Sequence, residues 1–125
     1  MATNGGTMTS WLDIIPAIPL ARGVPVIDRA TKWRGVSSGT SEAARLVVTF
    51  DNIEGWVDAD STLVDLDDPQ GFAYAHAWLT QNRKGPQPYD LTTTGMVVWR
   101  HMHGETTDAD RVALAEDLAV IVAGR

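Results

Sequence analysis

Three groups of side chains in this sequence have the types and spacing to do chemistry. The first is His101-Met102-His103-Gly104-Glu105, followed by Asp108 and Asp110, with His76 the one remaining histidine. On a strand, a His-x-His pair turns both rings to one face, where with a carboxylate it can hold zinc or iron. The candidate metal set is therefore His101, His103 and Asp108, with His76 as a further donor, and its chemistry would be that of a metal-dependent enzyme. On a helix the same two rings diverge by about 200°. His101 and Glu105 then become i,i+4 neighbours, the ordinary arrangement of a surface salt link.

The second group is basic and aromatic. Arg22, Arg29, Lys32, Arg34 and Arg45 lie in one stretch that also contains Trp33, and Trp56 follows. Guanidinium groups beside an indole can pair with a phosphate while the ring stacks on a base. Arg29, Trp33, Arg34 and Trp56 are thus the candidate residues of a small-molecule or nucleotide pocket. The third group is the acidic run Asp58 to Asp68, which begins like a calcium loop. It lacks the turn glycine at its sixth position (Leu63) and the bidentate glutamate at its twelfth (Pro69). Strand alternation and helix capping explain the same residues. The sequence contains no nucleophile elbow, phosphate-binding P-loop, dinucleotide fingerprint or H-E-x-x-H. With no cysteine there is neither a disulfide nor a thiolate site. These absences disfavour an enzyme, and no cofactor is implied.

The elements that must position these groups fit one domain of 125 residues, of which 44% are hydrophobic and 21% charged. The net charge is −6, which argues against a non-specific nucleic-acid binder. The charge is also unevenly placed. Residues 46–82 carry seven acids and no Lys or Arg, while nine acids and ten bases lie outside. Such a window reads as a solvated face or, more sharply, as a surface for a basic partner, even a mimic of nucleic acid. No stretch reaches the roughly 20 apolar residues that span a bilayer. The expected setting is therefore the cytoplasm, or a virion if the chain is phage-encoded, with no membrane partner.

Residues 1–19 read as an arm in which Ser10 caps one turn, Trp11 to Ile15, stopped by Pro16. Residues 20–68 read as β-rich. Short strands are expected at Val24–Asp28, Lys32–Ser37, Arg45–Phe50, Gly55–Asp58 and Thr62–Leu66, with a turn at Ser38–Ser41. Residues 69–125 read as helical. One helix is capped by Asp68, with Pro69 at its first position, and runs to about Arg83. Another is capped by Asp108 and runs from Ala109 to Ala123. Thr92 to His103 is assigned to a helix, with a strand as the alternative. Together these make an α+β domain of a small barrel or curled antiparallel sheet followed by two or three helices.

The series Gly23-Val24-Pro25-Val26, Trp33-Arg34-Gly35-Val36, Leu46 to Asn52, Gly55-Trp56-Val57 and Leu63 resembles a small SH3-like barrel over residues 20–68. That fold hosts unrelated activities, so the resemblance implies architecture and no function. The functional expectation is a non-catalytic protein acting through contacts with protein partners or with itself as a homo-oligomer. A phage virion or assembly component, or a phage-encoded regulator, would fit this description. The contact residues are expected to be Trp11, Ile14, Ile15 and Ile18 of the apolar arm and Asp58, Asp60 and Asp65 of the acidic window. The small-molecule binder and the metal-dependent enzyme are the two alternatives.

Overall fold

The computed structural model describes residues 10–82 and 103–124. In chain order the elements are α1 (Trp11–Ile14), β1 (Pro25–Asp28), β2 (Arg34–Glu42), β3 (Arg45–Phe50), β4 (Ile53–Asp58), β5 (Thr62–Val64), α2 (Pro69–Asn82) and α3 (Asp108–Ala123). The chain is α+β. Its five strands form one antiparallel sheet in the order β4-β3-β2-β1-β5. β4 and β5 lie at opposite edges, so the sheet is open and not closed into a barrel. β5 is only three residues long. After Val64, Asp65 turns its carboxylate to the Asp67 N–H and to Arg34, and the chain leads into α2.

Two tight hairpins build the β2-β3-β4 end. Between β3 and β4, Asp51 and Asn52 take φ of 48° and 65°, the left-handed pair of a two-residue type I′ turn, a conformation that Asn and Asp tolerate. Between β2 and β3 the turn residues are Ala43 and Ala44, with φ of 49° and 64°. The turn expected at Ser38–Ser41 is instead strand, with its register shifted between Ser37 and Ser41. Serine and glycine there mark an irregularity inside a long strand, while the real turn is made by alanines that carry no turn signal.

The sheet has two unequal halves. At the β1–β5 end, Val24, Ile27, Leu63, Val64 and Leu66 pack against Trp11, Leu12, Ile15 and Ile18, Phe72, Ala75 and Leu79 of α2, and Leu114, Ala115 and Leu118 of α3. Fully burying a side chain such as Phe72 contributes about 1.5–3 kcal/mol, and most of the large buried side chains are here. The other face of β1 carries Val26, which meets Leu46 and Val48 in a separate small cluster. Gly35 permits this close approach of β2 and β3, because a Cβ there would stand 2.5 Å from the Thr49 carbonyl oxygen. Gly71 does the same for α2, where an added Cβ would collide with the Asp65 carbonyl.

The helices are capped as their sequences require. The Ser10 hydroxyl accepts from the Leu12 N–H at 3.2 Å, and the Asp68 carboxylate accepts from the Gln70 N–H at 2.8 Å. The cap of α3 is Thr107, one residue before the expected Asp108. It forms a reciprocal box with Asp110, which accounts for the burial of that acid. No helix among the described residues is long and apolar enough to cross a membrane. The Thr92–His103 assignment lies outside the described residues, apart from His103 itself.

Candidate functional site

The apolar arm is seated on its own chain. Trp11, Ile15 and Ile18 are buried in the main core, and Ile14 packs against it half-buried. Two further ties hold the arm. The Arg29 guanidinium donates to the carbonyls of Leu12 and Ile15 and so satisfies the end of α1. The Tyr74 hydroxyl donates to the Pro19 carbonyl at 2.6 Å and accepts from the Ala21 N–H. These residues therefore have little surface to offer another chain, and Arg29 is a brace of the fold.

The acidic window divides in two. Asp65 is 3% exposed and takes two hydrogen bonds, at 2.8 and 2.7 Å, from one nitrogen of Arg34. The other terminal nitrogen of Arg34 reaches Asp67 at 2.8 Å, and Arg111 reaches Asp67 at 3.2 Å. The Trp11 indole N–H also donates to Asp67, at 3.3 Å. Burial pushes the Asp65 carboxyl above the usual aspartate range, against the pull of Arg34. The hydrogen bond to Asp67 raises Arg34 despite its own partial burial. With Asp68 capping α2, three of the seven acids are held by cations or a helix N-terminus. The remaining four, Asp51, Glu54, Asp58 and Asp60, are exposed around the β3–β4 hairpin and the turn after it.

That same end of the sheet holds four exposed large apolar side chains; a fifth among the described residues, Val120, lies on α3. Trp33 is 64% exposed, Ile53 73%, and Trp56 and Val36 44% each. They fall on two faces. On one, Trp33 stands edge-on to Phe50 with centroids 6.1 Å apart, and Phe50 is paired with Ile53. With Arg34, Asp51 and Gly55 they line an open groove of about 520 Å³. On the other face, Trp56 is paired with Val47, and the Arg45 guanidinium lies 6.0 Å from the Trp56 ring centre.

Of the proposed small-molecule set, Trp33 and Arg34 thus share the groove, while Trp56 belongs to the opposite face and Arg29 is tied to α1. Of the metal set, His103 and Asp108 are exposed and His101 lies outside the described residues. Among the described residues no three His, Asp or Glu side chains gather as metal ligands. The surface residues not anticipated are Val36, Phe50 and Ile53. The signal available for Ile53 was its place after Asp51-Asn52, where a hairpin restarts. Its exposure follows from β4 being an edge, which is a property of topology. No family model, curated protein or solved structure matches the chain.

Proposed function

We propose that this chain is a non-catalytic contact protein whose working surface is the β2-β3-β4 end of the sheet. The observation that carries this reading is the exposure of Trp33, Val36, Ile53 and Trp56 beside a strand edge with no neighbour among the described residues. Tryptophan and other large apolar side chains at a surface mark contact sites when they cluster. A role as a virion or assembly component, where chains pack side by side, fits this surface. The small cluster of Val26, Leu46 and Val48 on one face of the sheet supports the curled antiparallel sheet reading of residues 20–68.

Photo-crosslinking tests the contact reading. A photoreactive phenylalanine analogue is placed at Ile53, and in a second variant at Ala113 on the exposed side of α3. In cells that normally express the chain, the reading expects protein adducts from position 53 and few from 113. Equal yields from the two positions, or none from 53, would contradict it. The groove lined by Trp33, Arg34 and Phe50 supports a second reading, a small-molecule binder. A ligand present at about 100 times its dissociation constant would add about 2.7 kcal/mol of stability. A nucleotide panel that leaves the melting temperature unchanged would remove nucleotides from consideration.

A further inference from the structure

The partner chemistry can be read from the outer edge of β4, which has no strand beside it among the described residues. In a two-residue hairpin, the residues flanking the turn exchange both backbone hydrogen bonds, and such pairs alternate along the ladder. The turn at Asp51-Asn52 and the pairs Phe50–Ile53, Val48–Gly55 and Leu46–Val57 therefore turn the N–H and C=O groups of Ile53, Gly55 and Val57 toward β3. Those of Glu54, Trp56 and Asp58 point away from it. By the period of two, the side chains of these same three residues share one face of the sheet. The outward edge thus presents the N–H and C=O of Glu54 and Trp56 and the N–H of Asp58, whose carbonyl accepts from Ser61, so the order along it is acid, aromatic, acid. Asp51 and Asp60 extend the negative charge at either end, and on the face of Trp56 the Arg45 guanidinium lies beside it.

A second copy suits this edge poorly. Any two-fold pairing of β4 with itself brings Glu54 and Asp58 of one chain opposite or diagonal to Glu54 and Asp58 of the other, and like charges so placed are destabilising. The complementary occupant is an extended basic segment. We infer that the outer edge of β4 accepts a β-strand from a protein partner, with Lys or Arg opposite Glu54 and Asp58 and an apolar residue or a third cation against Trp56. Backbone bonds supply the attachment and the alternating side chains the selection. This inference rests on the contact reading above and adds to it the geometry and charge of the partner.

The test uses the full chain and a short capped peptide of alternating lysine and valine, with a glutamate–valine peptide as its counterpart. Binding is followed by calorimetry, and by the fluorescence change that is lost in Trp56→Phe. The lysine peptide is expected to bind, more weakly as salt rises, and the glutamate peptide to bind at least about tenfold more weakly. Glu54→Pro removes an outward N–H while leaving the β3 ladder intact, and should reduce lysine-peptide affinity about tenfold or more. Should that variant fail to fold, Glu54→Lys with Asp58→Lys keeps the strand and should reverse the preference to the glutamate peptide. Equal binding of both peptides, or lysine-peptide binding unmoved by these substitutions, overturns the basic-strand assignment. So does a wild-type dimer in light scattering that Glu54→Pro dissociates, which would make the occupant a second copy. Adducts at position 53 without lysine-peptide binding would leave the contact reading standing and remove this one; loss of both removes both.

Discussion

The β1–β5 end of the sheet and the β3–β4 end are built from similar side chains and treated oppositely. Ile27 and Leu63 are closed over by three helices, while Ile53 and Trp56 stand exposed at an edge with no neighbouring strand among the described residues. Both ends contain acids, again with opposite treatment. Asp65 is buried and answered by Arg34; Glu54, Asp58 and Asp60 are left in solvent. Hydrophobic burial is non-directional and does not by itself choose which strand is covered. The choice is made by where α2 and α3 attach. α2 packs on β1 and β5 because Asp65 to Asp68 bring the chain directly from β5 into it, and α3 packs in turn on α1 and α2. Covered and exposed apolar side chains are thereby separated to opposite ends of one sheet.

Substitutions at the two ends should separate in the same way. Phe72→Ala at the covered end should lower unfolding free energy by about 3–5 kcal/mol, read by urea titration. In a domain whose total is about 5–15 kcal/mol, that is a large fraction. Gly71→Ala, which forces a Cβ against the Asp65 carbonyl, should cost about 3 kcal/mol and lower the melting temperature. Equal stability in either variant would mean that the helices do not pack as described.

Arg34→Ala leaves the buried Asp65 with the Asp67 N–H and no cation, and should cost about 1–3 kcal/mol. Because burial already raises the Asp65 carboxyl, the folded chain holds its proton more tightly than the unfolded chain does. Ionising it as pH rises therefore costs stability, and the penalty of Arg34→Ala should shrink in acid. A penalty that grows in acid would contradict this.

Asp28 has the opposite sign. Burial alone would raise its carboxyl, but hydrogen bonds from the Thr31 hydroxyl and N–H, from Ser61 and from the Ala30 N–H hold it below the ordinary value of 3.8. Its contribution is present above that value and is lost as pH falls below it. Asp28→Asn should cost about 1 kcal/mol at neutral pH and almost nothing in strong acid. The smallest stability change belongs to the uncovered end. Trp56→Ser should move unfolding free energy by no more than about 0.5 kcal/mol, while removing the ring that the inferred partner strand lies against.

Local chemistry made much of this architecture readable in advance. Ser10 and Asp68 cap where their side chains can reach an orphan N–H, and Leu114, Ala115 and Leu118 repeat at helical spacing on the face that is buried. The β3 strand is legible from Leu46 to Phe50 because β-branched Val47, Val48 and Thr49 run together there between apolar residues. What could not be read depended on distant partners. Ala43 and Ala44 adopt left-handed φ because the two strands they join demand it. Trp11, Ile15 and Ile18 form an apolar run whether their cover is a neighbour or the chain's own helices. Asp65 and Asp58 look alike in sequence, and only the meeting of Arg34 with Asp65 across 31 positions makes one of them the buried half of an ion pair, while Asp58 stays at the surface and accepts from the Asp60 N–H. The groove of Trp33, Phe50 and Ile53 depends on which strand ends the sheet.

The central claim is that recognition belongs to the outer edge of β4 and stability to the opposite end. Residue-resolved amide hydrogen exchange tests it most directly, with and without the alternating lysine–valine peptide. The account predicts that the amides of Glu54, Trp56 and Asp58 exchange rapidly in the free chain and become protected by the peptide, while those of Ile27 and Leu63 are slow throughout and unchanged. Protection that appears at β5 or on the helices, or Glu54, Trp56 and Asp58 amides that are already slow in the free chain, would contradict it.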